Sequence, residues 1–398
     1  MIKTYREAFN AQFSDEKYNK LLEELNTRFE QKVGFRVAES PVFIPKALKQ
    51  HLVNATDDIM KVINHPNFKE QTQGAFLSED IMVPNEDDHP KFIQLDFGIC
   101  LDEHGEAVPK LIELQGFPSL YFYQELLARL YRKYYEIPEG FSIHPNGIDH
   151  KEFITLLREE IVGDTEPKQV ILLEVEPEKQ ATNIDFYATS AMLGIKILCI
   201  SKLKLRGKQL YYLDEQGNEI QVLKIYNRVI FDELYQRKDL YREFHFTEEV
   251  DVEWIGHPNW FFRISKYIMP MLKGDYVPKS YHLEKLDKLP ANLENFVLKP
   301  LYSFAGAGVQ LNVTEEMIEN IPNKWNYLLQ EKVKYHPIIE TPDGPAKCEV
   351  RIMLLHNKKT QSIQIISNLV RLSKGEMIGV KYNKDKTWVG GGTGFFEL

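Results

Sequence analysis

The 398-residue chain carries 58 acidic against 49 basic side chains, a formal net charge of −9. It is long enough for two or three domains but has no bulk positive charge with which to grip nucleic acid or an anionic membrane. The N-terminus, MIKTYREAFNAQFSDEKYNK, has no apolar signal core, and no stretch approaches the roughly eighteen apolar residues of a membrane span, so a cytoplasmic protein is expected. Cys100, Cys199 and Cys348 are widely separated and lack CxxC spacing, which argues for reduced, packed thiols rather than a zinc site or a disulfide framework.

Residues 1 to 80 read as mainly helical, with apolar positions at helical spacing in Tyr18, Leu21, Leu22 and Leu25 and again in Leu52, Ile59, Val62 and Ile63. Between 91 and 118 the pattern changes to two strands, KFIQLDFGICLD and VPKLIELQGF, joined by DEHGEA. The aromatic run Tyr121, Phe122 and Tyr123 follows, read first as core and alternatively as the lining of an acceptor pocket. Residues 169 to 240 alternate strand, helix, strand, hairpin and strand (QVILLEVE, FYATSAMLG, KILCIS, LYYLDEQGNEI, VLKIYNRV), as a small parallel α/β domain would. A helix from about 257, WFFRISKYIMPML, leads to FVLKPLYSFAGAGVQL. The helix TEEMIENI, the strand YLLQEKV and a sheet-like region closing on Gly390 to Gly392 then complete the chain.

The segment 296 to 311 carries the sharpest chemistry. Phe296, Val297 and Leu298 favour a strand, Lys299 ends it, and Pro300 bars further ladder pairing. Ser303, Ala305, Gly306, Ala307 and Gly308 form a small-residue tip whose backbone N–H groups can approach an anion, with Val309 to Val313 expected to return as a second strand. A hairpin of this kind suits triphosphate binding where the GxxxxGK[ST] loop is absent; a solvated hairpin with a surface lysine is the alternative.

Four further groups accompany it. Asp96 and Glu113 lie on neighbouring strands, with Gln115 on the face of Glu113, a hard-oxygen set suited to magnesium or, alternatively, an ordinary solvated face. Lys266, in a helix upstream of the hairpin, offers a second ammonium or, alternatively, is an ordinary surface lysine. Gln330, Glu331 and Val333 end an apolar strand where an adenine edge could meet backbone and side-chain groups. Arg351 and Arg371 stand on two late strands and suit charge developing on a phosphoryl group or tetrahedral centre, with a structural salt bridge as the competing reading.

Together these motifs resemble the ATP-grasp superfamily, specifically its circularly permuted branch that includes glutathionylspermidine synthase. Asp96 and Glu113 precede Lys266 and Lys299, the order of the permuted branch, and the resemblance covers roughly residues 35 to 398. It implies an α/β (α+β) ATP-grasp fold in three parts. These are residues 1–165, with the helical region and the acidic strands; 166–255, a pre-ATP-grasp parallel α/β domain ending in YNRV with Arg228; and 256–398, the ATP-binding lid and remaining core. By the same resemblance Lys266 and Lys299 bind the nucleotide phosphates, and Ser303 to Gly308 cover them. Gln330, Glu331 and Val333 hold adenine and ribose, while Asp96 and Glu113 hold Mg2+. Two positions depart from the synthase pattern: Gln115 replaces the asparagine of ExN, and Gln94 replaces the arginine of RxD, whose duty would pass to Arg351 or Arg371.

The implied reaction is that of an ADP-forming carboxylate–amine ligase, with ATP and Mg2+ as cofactors. A substrate carboxylate attacks the γ-phosphoryl of ATP, and an amine then displaces phosphate from the acyl phosphate to give an amide or peptide bond. Small-molecule or peptide carboxylates and amines are the expected partners. A phosphotransferase on the same scaffold and a catalytically silent ATP-binding or interaction module, the latter favoured by Gln94 and Gln115, remain the alternatives.

Overall fold

A computed structural model describes residues 2–76, 78–303, 306–379 and 382–398. At its centre is a five-stranded antiparallel sheet in the spatial order Gly390–Gly392, Ser362–Ser373, Lys347–Asn357, Phe92–Leu101 and Ala107–Gln115. One face follows strict alternation: Leu95, Phe97, Ile99, Val350, Ile352, Leu354, Val370 and Leu372 are buried against the helix Lys46–Ile63, whose Leu48, Leu52, Ala55, Ile59 and Ile63 recur at helical spacing. The opposite face carries the polar row, as the flanking apolar residues of Asp96 and Glu113 imply.

The predicted strand–helix alternation after residue 169 folds as a four-stranded parallel sheet, ordered Glu253–Ile255, Lys224–Asn227, Val170–Glu174 and Lys196–Cys199. Its strand Val170 to Glu174 is buried throughout, the continuous apolar pattern expected of a parallel strand covered on both faces. A small antiparallel sheet, Lys204–Arg206, Gln209–Leu213 and Glu219–Val222, grows from it. Near the chain ends, Val42–Ile44 runs parallel to Gly394–Glu397, which also pairs with Phe141–Ser142.

Two expectations around the lysine hairpin are corrected. The helix expected from about 257 divides into an α-helix, Asn259–Arg263, and a 3-10 helix, Lys266–Met271, because Ser265 caps a new start by accepting from the Tyr267 N–H at 3.2 Å and Pro270 cannot donate to a continuous α-helix. The return strand expected over Val309 to Val313 reduces to a single bridge, Leu298 with Gln310. The ladder partner of Phe296–Pro300 is instead Tyr327–Glu331, in a three-stranded antiparallel sheet completed by Ser280–His282. Tyr121, Phe122 and Tyr123 are fully buried in the principal core, as first read.

Candidate functional site

The site lies where the three-stranded sheet faces the edge strand Ala107–Gln115. Register across the central sheet places Glu113 opposite Asp96 and Asp96 opposite Arg351; one step along, Arg371 stands opposite Glu349, and Gln94 opposite Gln115. A bulge after Asp96 shifts the ladder so that Phe97 pairs with Leu111, leaving Ile112 without a partner. Its carbonyl is thereby free to accept from Lys299 Nζ at 3.1 Å. Bulges beside sites commonly re-aim groups in this way.

Gly116 explains how Lys266 reaches the same place. Its N–H donates to the Ile264 carbonyl at 3.1 Å, and a Cβ there would collide with the carbonyl oxygen of Trp260. Only glycine lets the 259–264 segment lie against the end of the strand, and Lys266 Nζ then stands 3.5 Å from Glu113 Oε2 while donating to the Ser303 carbonyl at 2.8 Å. Gly116→Ala is expected to cost about 1–3 kcal/mol by forcing that segment outward. Chemical denaturation reads the cost directly, and an unchanged midpoint would show that the packing tolerates the methyl group.

At the centre, Arg351 grips Asp96 through both oxygens, Nε to Oδ1 at 2.5 Å and Nη2 to Oδ2 at 2.6 Å, and donates from Nη1 to Gln94 Oε1 at 2.9 Å. Arg371 Nη1 reaches Asp96 Oδ2 at 3.2 Å and pairs closely with Glu349, whose other oxygen accepts from Tyr335 Oη at 3.0 Å. Gln115 Nε2 donates to Gln94 Oε1 at 2.6 Å, and Gln94 Nε2 to the Ser119 carbonyl at 2.6 Å. Burial alone would raise the Asp96 carboxyl, but Arg351 and Arg371 outweigh it and hold it below the ordinary range. Burial raises Glu349, which also lies near Asp96 and Glu113, against the opposing charge of Arg371. Lys299 is lowered to about 8, first by desolvation and further by Lys266, with Glu113, Glu349 and Asp96 pulling the other way. Lys266, Lys299, Arg351 and Arg371 thus outnumber Asp96, Glu113 and Glu349, and this group of ionic side chains carries an excess of positive charge.

Of the expected site residues, the structure brings together Asp96, Glu113, Gln115, Lys266, Lys299, Arg351 and Arg371. Gln330 joins them: it is 1% exposed, donates to the Leu111 carbonyl at 3.4 Å, and leaves its buried Oε1 without a partner. Glu331 is exposed at the end of the same strand, and Val333, two residues beyond it, is half-buried. Ser303 lines a narrow cleft with Glu113, Gln115, Lys266, Phe261 and Tyr302. Gly306 and Gly308 both have φ +72°, and a Cβ at 308 would lie 2.8 Å from Pro300 Cγ, so the tip needs glycine there. Ala307 is exposed beside them, and Ala305 lies outside the described residues.

Sequence reasoning singled out neither Tyr335 nor the role of Glu349. The ExR alternation already placed Glu349 on the face of Arg351; Tyr335 had no signal, although its ring lies over Gly98, where a Cβ would come within 2.6 Å of it. Arg228, at the end of the parallel strand Lys224–Asn227, is 4% exposed, and its Nε and Nη1 have no partner.

The donor set divides for a hard cation. Asp96 has both oxygens committed to guanidiniums, whereas Glu113 and Gln115 border the cleft as oxygen donors. Among the described residues no three His, Cys, Asp or Glu side chains come together to hold a metal, so a cation here fits only as one sharing its shell with a bound phosphate.

No family model and no curated protein matches the chain. Among solved structures, the chain is similar to a glutathione synthetase-like effector from Globodera pallida in its apo form, at 13% identity with a TM-score of 0.58 over 96% of each chain. A putative gamma-glutamylcysteine synthetase from Methylobacillus flagellatus aligns at 12% identity and a TM-score of 0.39 over 85% of each chain, too loosely to carry an argument. The first likeness shows that the chain shares its overall fold with that effector. Among the described residues no helix is long and apolar enough to cross a membrane.

Proposed function

We propose that the chain is an ATP-dependent carboxylate–amine ligase that forms ADP through an acyl phosphate, on a circularly permuted ATP-grasp scaffold. The observation that carries this reading is the convergence of Lys299 and Lys266, from separate segments, on Glu113 in a desolvated cleft with surplus positive charge. Such a cleft favours a polyanion, since an anion replaces water around ammonium groups whose desolvation is already part of the fold. The orphaned Gln330 Oε1 is an acceptor available to an exocyclic amine such as that of adenine.

In this mechanism Lys299 and Lys266 neutralise the phosphates, and the glycine-bearing tip around Gly306 and Gly308 closes over them to exclude water. Arg371, the more exposed of the two guanidiniums at 29% against 6% for Arg351, supplies positive charge where the phosphoryl transfers, and Arg351 fixes Asp96 behind it. Glu113 and Gln115 would hold magnesium, which when bound neutralises charge on the transferring phosphate. Arg228, whose Nε and Nη1 have no hydrogen-bond partner at the carboxyl end of a parallel strand, would on this reading hold a substrate carboxylate.

A specific observation also favours the silent nucleotide-binding module: Asp96 is closed off by two arginines. A coupled assay for ADP release, run over a panel of carboxylate and amine pairs, separates the two. Turnover requiring both substrates, with magnesium dependence erased by Glu113→Ala, is the expected result. ATP binding without ADP release from any pair would leave only the silent module.

A further inference from the structure

Gln94 and Gln115, the two positions that depart from the synthase pattern, stand opposite each other in register on neighbouring strands of the central sheet. Their contacts form a chain in which every donor points the same way. Gln115 Nε2 donates to Gln94 Oε1 at 2.6 Å, and Gln94 Nε2 donates to the Ser119 carbonyl at 2.6 Å. The N–H of that same peptide, on Leu120, then donates to Asp185 Oδ2 at 3.0 Å. Gln94 is 1% exposed and Asp185 is fully buried.

Hydrogen-bond chemistry leaves one arrangement of the two amides. The Ser119 carbonyl only accepts, so Gln94 must turn its NH2 group toward it. The Arg351 guanidinium only donates, so Gln94 must turn its oxygen toward Nη1, 2.9 Å away. Both demands select the same orientation. With Gln94 Oε1 fixed there, an oxygen from Gln115 at 2.6 Å would set two acceptors against each other, so Gln115 presents its NH2 group. The Ser119 carbonyl cannot turn aside. Asp185 holds the other side of its peptide plane and also accepts from the N–H groups of Phe122 and Tyr123, at 3.0 and 2.9 Å, where the helix Tyr121–Tyr134 begins.

We infer that Gln94 is a positioning residue that holds the Gln115 amide with its oxygen toward the cleft. Among the described residues no donor reaches that oxygen, and Gln115 lines the cleft beside Glu113. Position 115 therefore offers a ligand an acceptor, suited to a cation or an N–H group, where Lys266 and Lys299 offer only donors. The two departures are one coupled change: an arginine at 94 would have no acceptor for Gln115 and would face Arg351 with like charge. The use of this oxygen for magnesium rests on the ligase reading, whereas the orientation of the amide does not.

Side-chain amide exchange in the ligand-free chain tests the orientation, and calorimetric titration of magnesium–ATP tests its use. In the wild type the bonded Gln115 N–H should exchange about tenfold more slowly than the side-chain amide of the exposed Gln216, and Gln94→Met should remove that protection. Gln94→Met and Gln115→Ala should each weaken magnesium–ATP binding about fivefold. The double variant should bind no worse than Gln115→Ala alone, because Gln94 acts through Gln115. Losses that multiply, or a wild-type Gln115 amide exchanging as fast as that of Gln216, would overturn the proposal. If Gln94→Met does not fold, the wild-type exchange rate decides. A protected Gln115 in a chain that binds no magnesium–ATP would uphold the orientation and remove the ligase reading instead.

Discussion

Replacing Lys299 by methionine is expected to weaken ATP binding roughly 100-fold or more, the consequence of removing about 2.7 kcal/mol from one charged contact in a desolvated site. The lysine is placed by three separate features of the chain: the strand Phe296–Pro300, the bulge that frees the Ile112 carbonyl, and the burial that leaves it 8% exposed. Its ammonium has been lowered to about 8, first by burial and also by Lys266. A bound triphosphate reverses that cost and raises the value in the complex. Affinity should therefore be highest below pH 8 and fall as pH rises through it, with proton uptake on binding above that point. Lys299→Met should lose this pH dependence along with the affinity. Isothermal titration of both proteins at pH 7 and pH 9 reads both effects, and a variant that binds as tightly as the wild type would remove the hairpin from the nucleotide site.

The second large effect concerns stability. Asp96→Ala leaves Arg351 and Arg371 in the buried row with Glu349, the more distant charge of Glu113 and the Gln94 carbonyl to face them, a loss of buried charge compensation worth about 3–5 kcal/mol. Because the Asp96 carboxyl is held below the ordinary range, its contribution is present above about pH 3.9 and lost as pH falls through the native value. The wild-type advantage in urea should accordingly be full at pH 7 and shrink in strong acid. Equal midpoints at pH 7 would mean that the two guanidiniums find other partners and that the row is not held together by this carboxylate.

What could be read in advance followed from periodicity. Alternation placed Asp96, Glu113 and Gln115 on one face and Leu95, Phe97, Ile112 and Leu114 on the other; the bulge after Asp96 takes Ile112 out of that pattern while the other three pack as read, and the strand–helix rhythm after Gln169 foretold the parallel sheet. The misses came where local pattern gives way to contacts distant in sequence. Val309 to Val313 has the composition of a strand, yet its expected partner pairs with Tyr327–Glu331, nearly thirty residues further on. Nothing near Gly116 announces that Trp260 will lie against it. Asp96 showed its charge and its face in the sequence but not its state: that both oxygens are taken by Arg351 and Arg371 depends on the pairing of strands some 250 residues apart. Arg351 and Arg371 were read either as groups for developing charge or as a structural salt bridge, and the structure pairs both with Asp96.

The most direct test of the central claim is calorimetric titration of ATP into the wild-type chain with and without magnesium. The account predicts binding that strengthens with magnesium, as Glu113 and Gln115 share the cation with the phosphates held by Lys266 and Lys299. No heat of binding under either condition would contradict it and leave the fold as a scaffold without a nucleotide.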